Sequence, residues 1–97
     1  MNTFTGAKRG QHAHKKCNQL LCCVSGEIEL SCDDGYERIS IMLSPNGEAI
    51  WVPNGVWAEQ TYLKNDSSII VFCDQSYHEL DYIRDYQEFL KWKKLQK

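Results

Sequence analysis

The chain contains only two prolines, Pro45 and Pro53, and no apolar run near the roughly 20 residues of a membrane span; its longest is Ser68 to Cys73. The first residues, MNTFTGAKRG, lack the apolar core of a secretion signal, so the expected location is the cytoplasm. Neither sign of charge dominates. Eleven Lys and Arg against 13 Asp and Glu leave a formal net charge of −2, which gives no general attraction to nucleic acid or to an anionic membrane. Lys8, Arg9, Lys15 and Lys16 do make one segment locally basic, and such a cluster suits a small anion. There is no repeat, no low-complexity stretch and no linker, and 97 residues exclude two domains, so residues 1–97 are expected to form one. The five cysteines, Cys17, Cys22, Cys23, Cys32 and Cys73, are odd in number and lack any C-x-x-C pair. That argues against both a disulfide framework and a zinc ribbon.

What is present is regular punctuation. Gly26, Asp34-Gly35, Pro45-Asn46-Gly47 and Pro53-Asn54-Gly55 separate short runs rich in β-branched and aromatic residues. Strands are predicted at 19–24, 26–32, 37–43, 49–52, 57–62 and 68–73, with Asp33-Asp34-Gly35 as a hairpin turn. In Glu27 to Cys32 and Arg38 to Leu43 every second residue is apolar, the pattern of a sheet with one buried face. Toward the end the period lengthens: Tyr82, Ile83, Tyr86, Phe89 and Leu90 fall at helical spacing, which predicts one helix from about Ile83 to Leu95. Tyr82, Tyr86 and Phe89 are the expected packing side chains of that helix. The fold class is therefore all-β with a short C-terminal α-helix.

The most informative stretch runs from Gly6 to Gly26. His12 and His14 are two apart, so on a strand both imidazoles face the same way. Gly6, His12, His14 and Gly26 match the first motif of the cupins, G(x)5HxH(x)4E(x)6G, with Gln19 where the glutamate belongs. Gly47, Pro53 and Gly55 match the second, in which Ala58 replaces the histidine and Tyr62 the asparagine. Two of four metal ligands are thus missing, and a neutral amide substitutes poorly for a carboxylate, so no metal or other cofactor is expected. Without a metal, the imidazoles are free for proton transfer near neutrality.

Arg9-Gly10-Gln11-His12-Ala13-His14-Lys15, then Gln19 with Val24-Ser25-Gly26, then Asp33-Asp34-Gly35, Pro53 to Trp57, and Tyr77 to Tyr86 with Phe89 occur in an order that resembles the sugar 3,4-ketoisomerase family of cupins. These are the WxcM-like enzymes of deoxysugar biosynthesis. The resemblance implies a cupin (double-stranded β-helix, jelly-roll) barrel. It also implies metal-independent conversion of a TDP-4-keto-6-deoxyglucose to its 3-keto isomer. It makes His14 the base and shuttle, His12 its relay or a donor to the developing oxyanion, and Arg9 the group that stabilises that charge or holds the diphosphate. Lys15 is a candidate for phosphate neutralisation and otherwise a solvated strand edge; Lys16 is read the same way.

Trp51 and Trp57 flank the second motif and are candidates either for stacking on the thymine or sugar or for core anchoring. Cys17 has no motif around it that would make it a nucleophile, and His78 is read as surface or cap chemistry. The family carries further strands upstream of the arginine-histidine run, including a tyrosine that lines the active site, whereas Arg9 is the ninth residue here. The expectation is an N-terminally short cupin that recruits a second copy as a homodimer, with strand exchange as in the family. A catalytically degenerate cupin that binds a nucleotide sugar or other small ligand, and a fragment of a longer chain, are the alternatives.

Overall fold

The computed structural model describes residues 8–96. Gly6 of the histidine motif lies outside them. Eight strands, a 3-10 turn and one helix follow in order: β1 (Lys8–His14), β2 (Gln19–Ser25), β3 (Ile28–Asp33), β4 (Arg38–Leu43), β5 (Ile50–Val52), β6 (Trp57–Tyr62), β7 (Ser68–Cys73), the turn Glu79–Asp81, β8 (Tyr82–Ile83) and α1 (Tyr86–Lys94). They form two antiparallel sheets, a larger one ordered β4-β3-β6-β1-β8 and a smaller one ordered β5-β2-β7. Five predicted strands agree to within one residue at each end. The strand predicted at 26–32 instead begins at Ile28, because Gly26 takes a positive φ of 76° and turns the chain.

Alternation builds the core. Leu21, Cys23 and Val52 from the smaller sheet meet Ile28, Leu30, Leu43, Ala58 and Tyr62 from the larger, all nearly inaccessible. The opposite face of the larger sheet is also covered, by α1: Ala13, Trp57, Ile83 and Phe89 form a second cluster there. Phe89 has no accessible surface, and burying such a ring contributes about 2 kcal/mol or more. The helix is shorter than predicted. Asp85 ends the extended chain by accepting the Glu88 N–H at 3.0 Å as N-cap, so the apolar spacing that begins at Tyr82 and Ile83 belongs to β8 instead. Tyr82 is accordingly corrected: it is no helix-packing residue, and Ile83 takes that place in the cluster.

A polar fastening complements the packing under α1. The Tyr86 hydroxyl donates to Asp33 at 2.6 Å, Arg38 bridges Asp33 and Glu59, and the Trp57 indole N–H donates to Glu59 at 2.8 Å. The Lys93 ammonium reaches the Gly55 carbonyl at 2.8 Å, and the Gly55 N–H donates to the His14 carbonyl at 2.8 Å. The helix therefore braces the end of β1.

Candidate active site

β1 carries the site, and a bulge aims it. Arg9 pairs with Gln60 and His12 with Ala58, so between them β1 holds one residue more than β6. In an unbroken strand Arg9 and His12, three apart, would face opposite ways. The extra residue restores them to one side, the interior face shared with Ala58, Gln60 and Tyr62. Gly10 makes this possible with a φ of 63°; a Cβ there would sit 3.0 Å from the Gln60 amide nitrogen. The Gln60 carbonyl oxygen in turn accepts the Tyr62 hydroxyl at 3.1 Å.

At the far end of β1 the two imidazoles meet edge to face, with centroids 4.9 Å apart. Tyr82 lies against both, 5.1 Å from His12 and 4.3 Å from His14, and the Arg84 guanidinium lies over that ring at 4.2 Å. His14 is buried. Its Nδ1 lies 3.0 Å from Asp81 Oδ2, an oxygen that also accepts the Cys17 N–H at 3.2 Å, while Asp81 Oδ1 accepts the Lys16 N–H at 2.7 Å. Burial alone would raise the Asp81 carboxyl, but the His14 ring and the two amides outweigh it and hold it below its ordinary value. An ionised Asp81 requires a proton on Nδ1, and in the neutral ring that puts the lone pair on Nε2. Among the described residues, His14 Nε2 is the buried side-chain nitrogen or oxygen without a hydrogen-bond partner. Its neighbour His12 is pushed down to about 4, by burial first and then by the nearby His14 and Arg84, so it is neutral at neutral pH.

Of the residues singled out in the sequence, Arg9, His12 and His14 are thus brought to one face. Lys15 is exposed at the rim, its N–H bonded to the Asp81 carbonyl at 2.9 Å. The tryptophans go elsewhere. Trp57 is 3% exposed beneath α1, on the face of β6 opposite the histidines, and its candidacy for substrate stacking is corrected to core anchoring. Trp51 is 56% exposed on the outer face of the smaller sheet and borders an apolar groove of ≈ 250 Å³ with Ile39, Ile41, Pro53 and Val56, a groove that includes neither histidine. Asp81 and Tyr82 were missed as site residues. Nothing local marks an aspartate as the partner of a histidine 67 positions away; the only signal was its place within the Tyr77 to Tyr86 run. His78 does cap, accepting the Leu80 N–H at 3.3 Å.

The residue set does not fit a cupin metal. Ala58 offers no ligand opposite His12, the Gln19 amide is turned to the Cys73 sulfur at 3.5 Å, and no group of three or more His, Cys, Asp or Glu side chains gathers among the described residues.

The family model described as FdtA, WxcM-like, C-terminal matches residues 1–94. The chain belongs to this WxcM-like family. One curated relative, the TDP-4-oxo-6-deoxy-alpha-D-glucose-3,4-oxoisomerase of Aneurinibacillus thermoaerophilus, is 37% identical over 84 residues, which is 87% of this chain and 60% of the relative. Among solved structures, a 3,4-ketoisomerase from Helicobacter canadensis superposes with a TM-score of 0.92 at 30% identity, covering 97% of this chain and 71% of that one. The sugar 3,4-ketoisomerase QdtA from Thermoanaerobacterium thermosaccharolyticum, in complex with TDP, gives 0.90 at 26% identity over 99% of this chain and 71% of its own. These likenesses bear out the cupin-like all-β fold of the WxcM-like chain. The chain spans 60% of the length of the curated relative it matches.

Proposed function

We propose that this WxcM-like chain is a sugar-nucleotide 3,4-ketoisomerase that moves the ketone of a TDP-4-keto-6-deoxyglucose from C4 to C3 without a metal. The observation that carries the reading is His14, buried, anchored through Nδ1 to Asp81 and presenting an unpartnered Nε2. The C3 proton is acidic because it is alpha to the C4 carbonyl. His14 Nε2 removes it, the electron pair forms an enediolate across C3 and C4, and the proton returns at C4 while the C3 oxygen becomes the ketone. Asp81 holds the imidazolium that forms in between, as a carboxylate does for a catalytic histidine elsewhere. His12, neutral beside it, relays a proton or donates to the oxyanion, and Arg9 supplies a positive charge for that oxyanion or for the diphosphate. In this reading the exposed Lys15 neutralises phosphate.

Support for the substrate comes from the relatives named for this reaction and from the TDP complex of QdtA. The same reading puts the protein in deoxysugar biosynthesis in the cytoplasm. It also makes the protein a homodimer. Incubation with TDP-4-keto-6-deoxyglucose in heavy water, followed by NMR, tests the function directly. Deuterium at the exchanged carbon together with 3-keto product is the expected result. Binding without any exchange would replace the isomerase with a ligand-binding cupin.

A further inference from the structure

Two thiols stand at the mouth of the histidine pocket and take no part in the proposed reaction. Beyond the ordered end of the β2 and β7 pair, the chains continue side by side. Gln19 pairs with Cys73, the Asp74 N–H donates to the Asn18 carbonyl at 3.2 Å, and the Asp74 carboxylate accepts the Asn18 N–H at 2.8 Å and its amide at 2.7 Å. Cys17 and Cys73 are therefore diagonal neighbours on the interior face, and burial first, with the neighbouring Cys73 adding to it, pushes the Cys17 thiol up. Both border a cavity of ≈ 110 Å³ that also touches His14, Asp81 and Tyr82. Cys73 is exposed and Cys17 is 5% exposed, an accessible sulfur backed by a protected one. The Cys17 N–H meanwhile holds the same Asp81 oxygen that anchors His14.

We propose that Cys17 and Cys73 form a reversible disulfide site whose closure loosens the Asp81 grip on His14. The oxidant is a low-molecular-weight disulfide of the glutathione class. The Cys73 thiolate attacks one sulfur of it, forming a mixed disulfide and expelling one thiolate. Cys17, on losing its proton, attacks the Cys73 sulfur; the mixed bond breaks and the second small thiol leaves. The two protein thiols lose two electrons and two protons, and the small disulfide is reduced to two thiols.

Diagonal neighbours across a ladder have Cβ atoms farther apart than the roughly 3.8 Å of a disulfide, so closure draws Cys17 toward β7 by about 1 Å or more. That motion pulls its amide from Asp81. Neither the bond nor its effect on the pair depends on the isomerase reading, since both are read without turnover.

The test treats fully reduced protein with glutathione disulfide and maps its peptides under non-reducing conditions. A peptide joining Cys17 to Cys73, reversed by dithiothreitol, is expected. Glutathione held on Cys73 with Cys17 still free would overturn the site. In parallel, NMR of ring-labelled histidine follows the Nδ1 proton of His14, which should lose its slow exchange with water in the oxidised protein and keep it in oxidised Cys73→Ser. An unchanged His14 signal in the bridged protein, or the same change in Cys73→Ser, would overturn the coupling. Where C3 exchange is measured alongside, kcat/KM should fall by up to about a hundredfold on bridging, the order of effect expected when a catalytic group is displaced by an ångström.

Discussion

At His14 the two ring nitrogens have separate tasks, because Nδ1 is tied to Asp81 at 3.0 Å while Nε2 lacks a protein partner. As the proposed base, His14 would stabilise the transition state of the reaction more than it helps ground-state binding. His14→Asn should therefore abolish C3 exchange and leave TDP-sugar affinity nearly intact, as kinetics and calorimetry on the same preparation would show; an unaltered rate removes the base. Arg9→Ala should weaken both affinity and turnover, since diphosphate and enediolate are both anionic. His12 supports a different prediction. Its folded value of about 4 lies below the ordinary 6.5, so the unfolded chain binds the extra proton first as pH falls. Stability is then lost between about pH 6.5 and 4, by at most about 3 kcal/mol at 1.36 kcal/mol per unit. The lowered Asp81 value acts in the same direction but below its ordinary 3.8. Urea denaturation across pH 4 to 7 should show a loss that flattens in His12→Asn; equal slopes in the two proteins would remove the assignment.

Elements place these residues, and two glycines decide how. Gly10 opens the bulge that returns Arg9 to the histidine face, and a Cβ there would press on the far end of the Gln60 side chain at 3.0 Å and touch the His12 ring at 3.8 Å. Gly26, at a φ of 76°, is more confined: its Cβ would lie 2.7 Å from Ser67 Cα and closer still to the Ser67 hydroxyl. Gly10→Ala should cost roughly 1–2 kcal/mol, the left-handed penalty, and Gly26→Ala roughly 3 kcal/mol or more because backbone must shift as well. Chemical denaturation giving equal losses would contradict the distinction. The strands that carry alternation or turn chemistry, such as β3, β4 and β6, were legible in the sequence because their period is local. β8 was not: two residues have no period, and Tyr82 and Ile83 extend the helical spacing of α1 by coincidence. The bulge was equally hidden, since Gly10 reads as a flexible point until its partner Gln60 is known. Trp57 could be placed only once α1 was seen to cover one face of β6, and Asp81 only once β8 lay beside β1.

At the scale of the molecule, the two sheets are finished differently on their outer sides. The larger is roofed by α1 over Trp57 and Phe89. The smaller has no such cover among the described residues. Leu21, Cys23 and Val52 point inward, so Leu20, Cys22, Val24, Trp51, Ile70 and Phe72 point out, none of them charged. Val24, Trp51, Ile70 and Phe72 are each about half exposed. A contiguous apolar sheet face of this kind is uncommon on a soluble monomer and marks an interaction site. A second copy offers a matching face: two such surfaces related by a two-fold axis pack strand against strand with no charge to desolvate. The proposed homodimer is therefore expected to form through the outer face of β5-β2-β7. Light scattering should report a dimer at micromolar concentration. Phe72→Glu should convert it to a monomer with an unchanged circular-dichroism spectrum, because the substituted side chain contributes nothing to the core between the sheets. A wild-type monomer would defeat the dimer itself, and a Phe72→Glu protein that stays dimeric would move the interface to another surface, such as the free edges of β4 and β5.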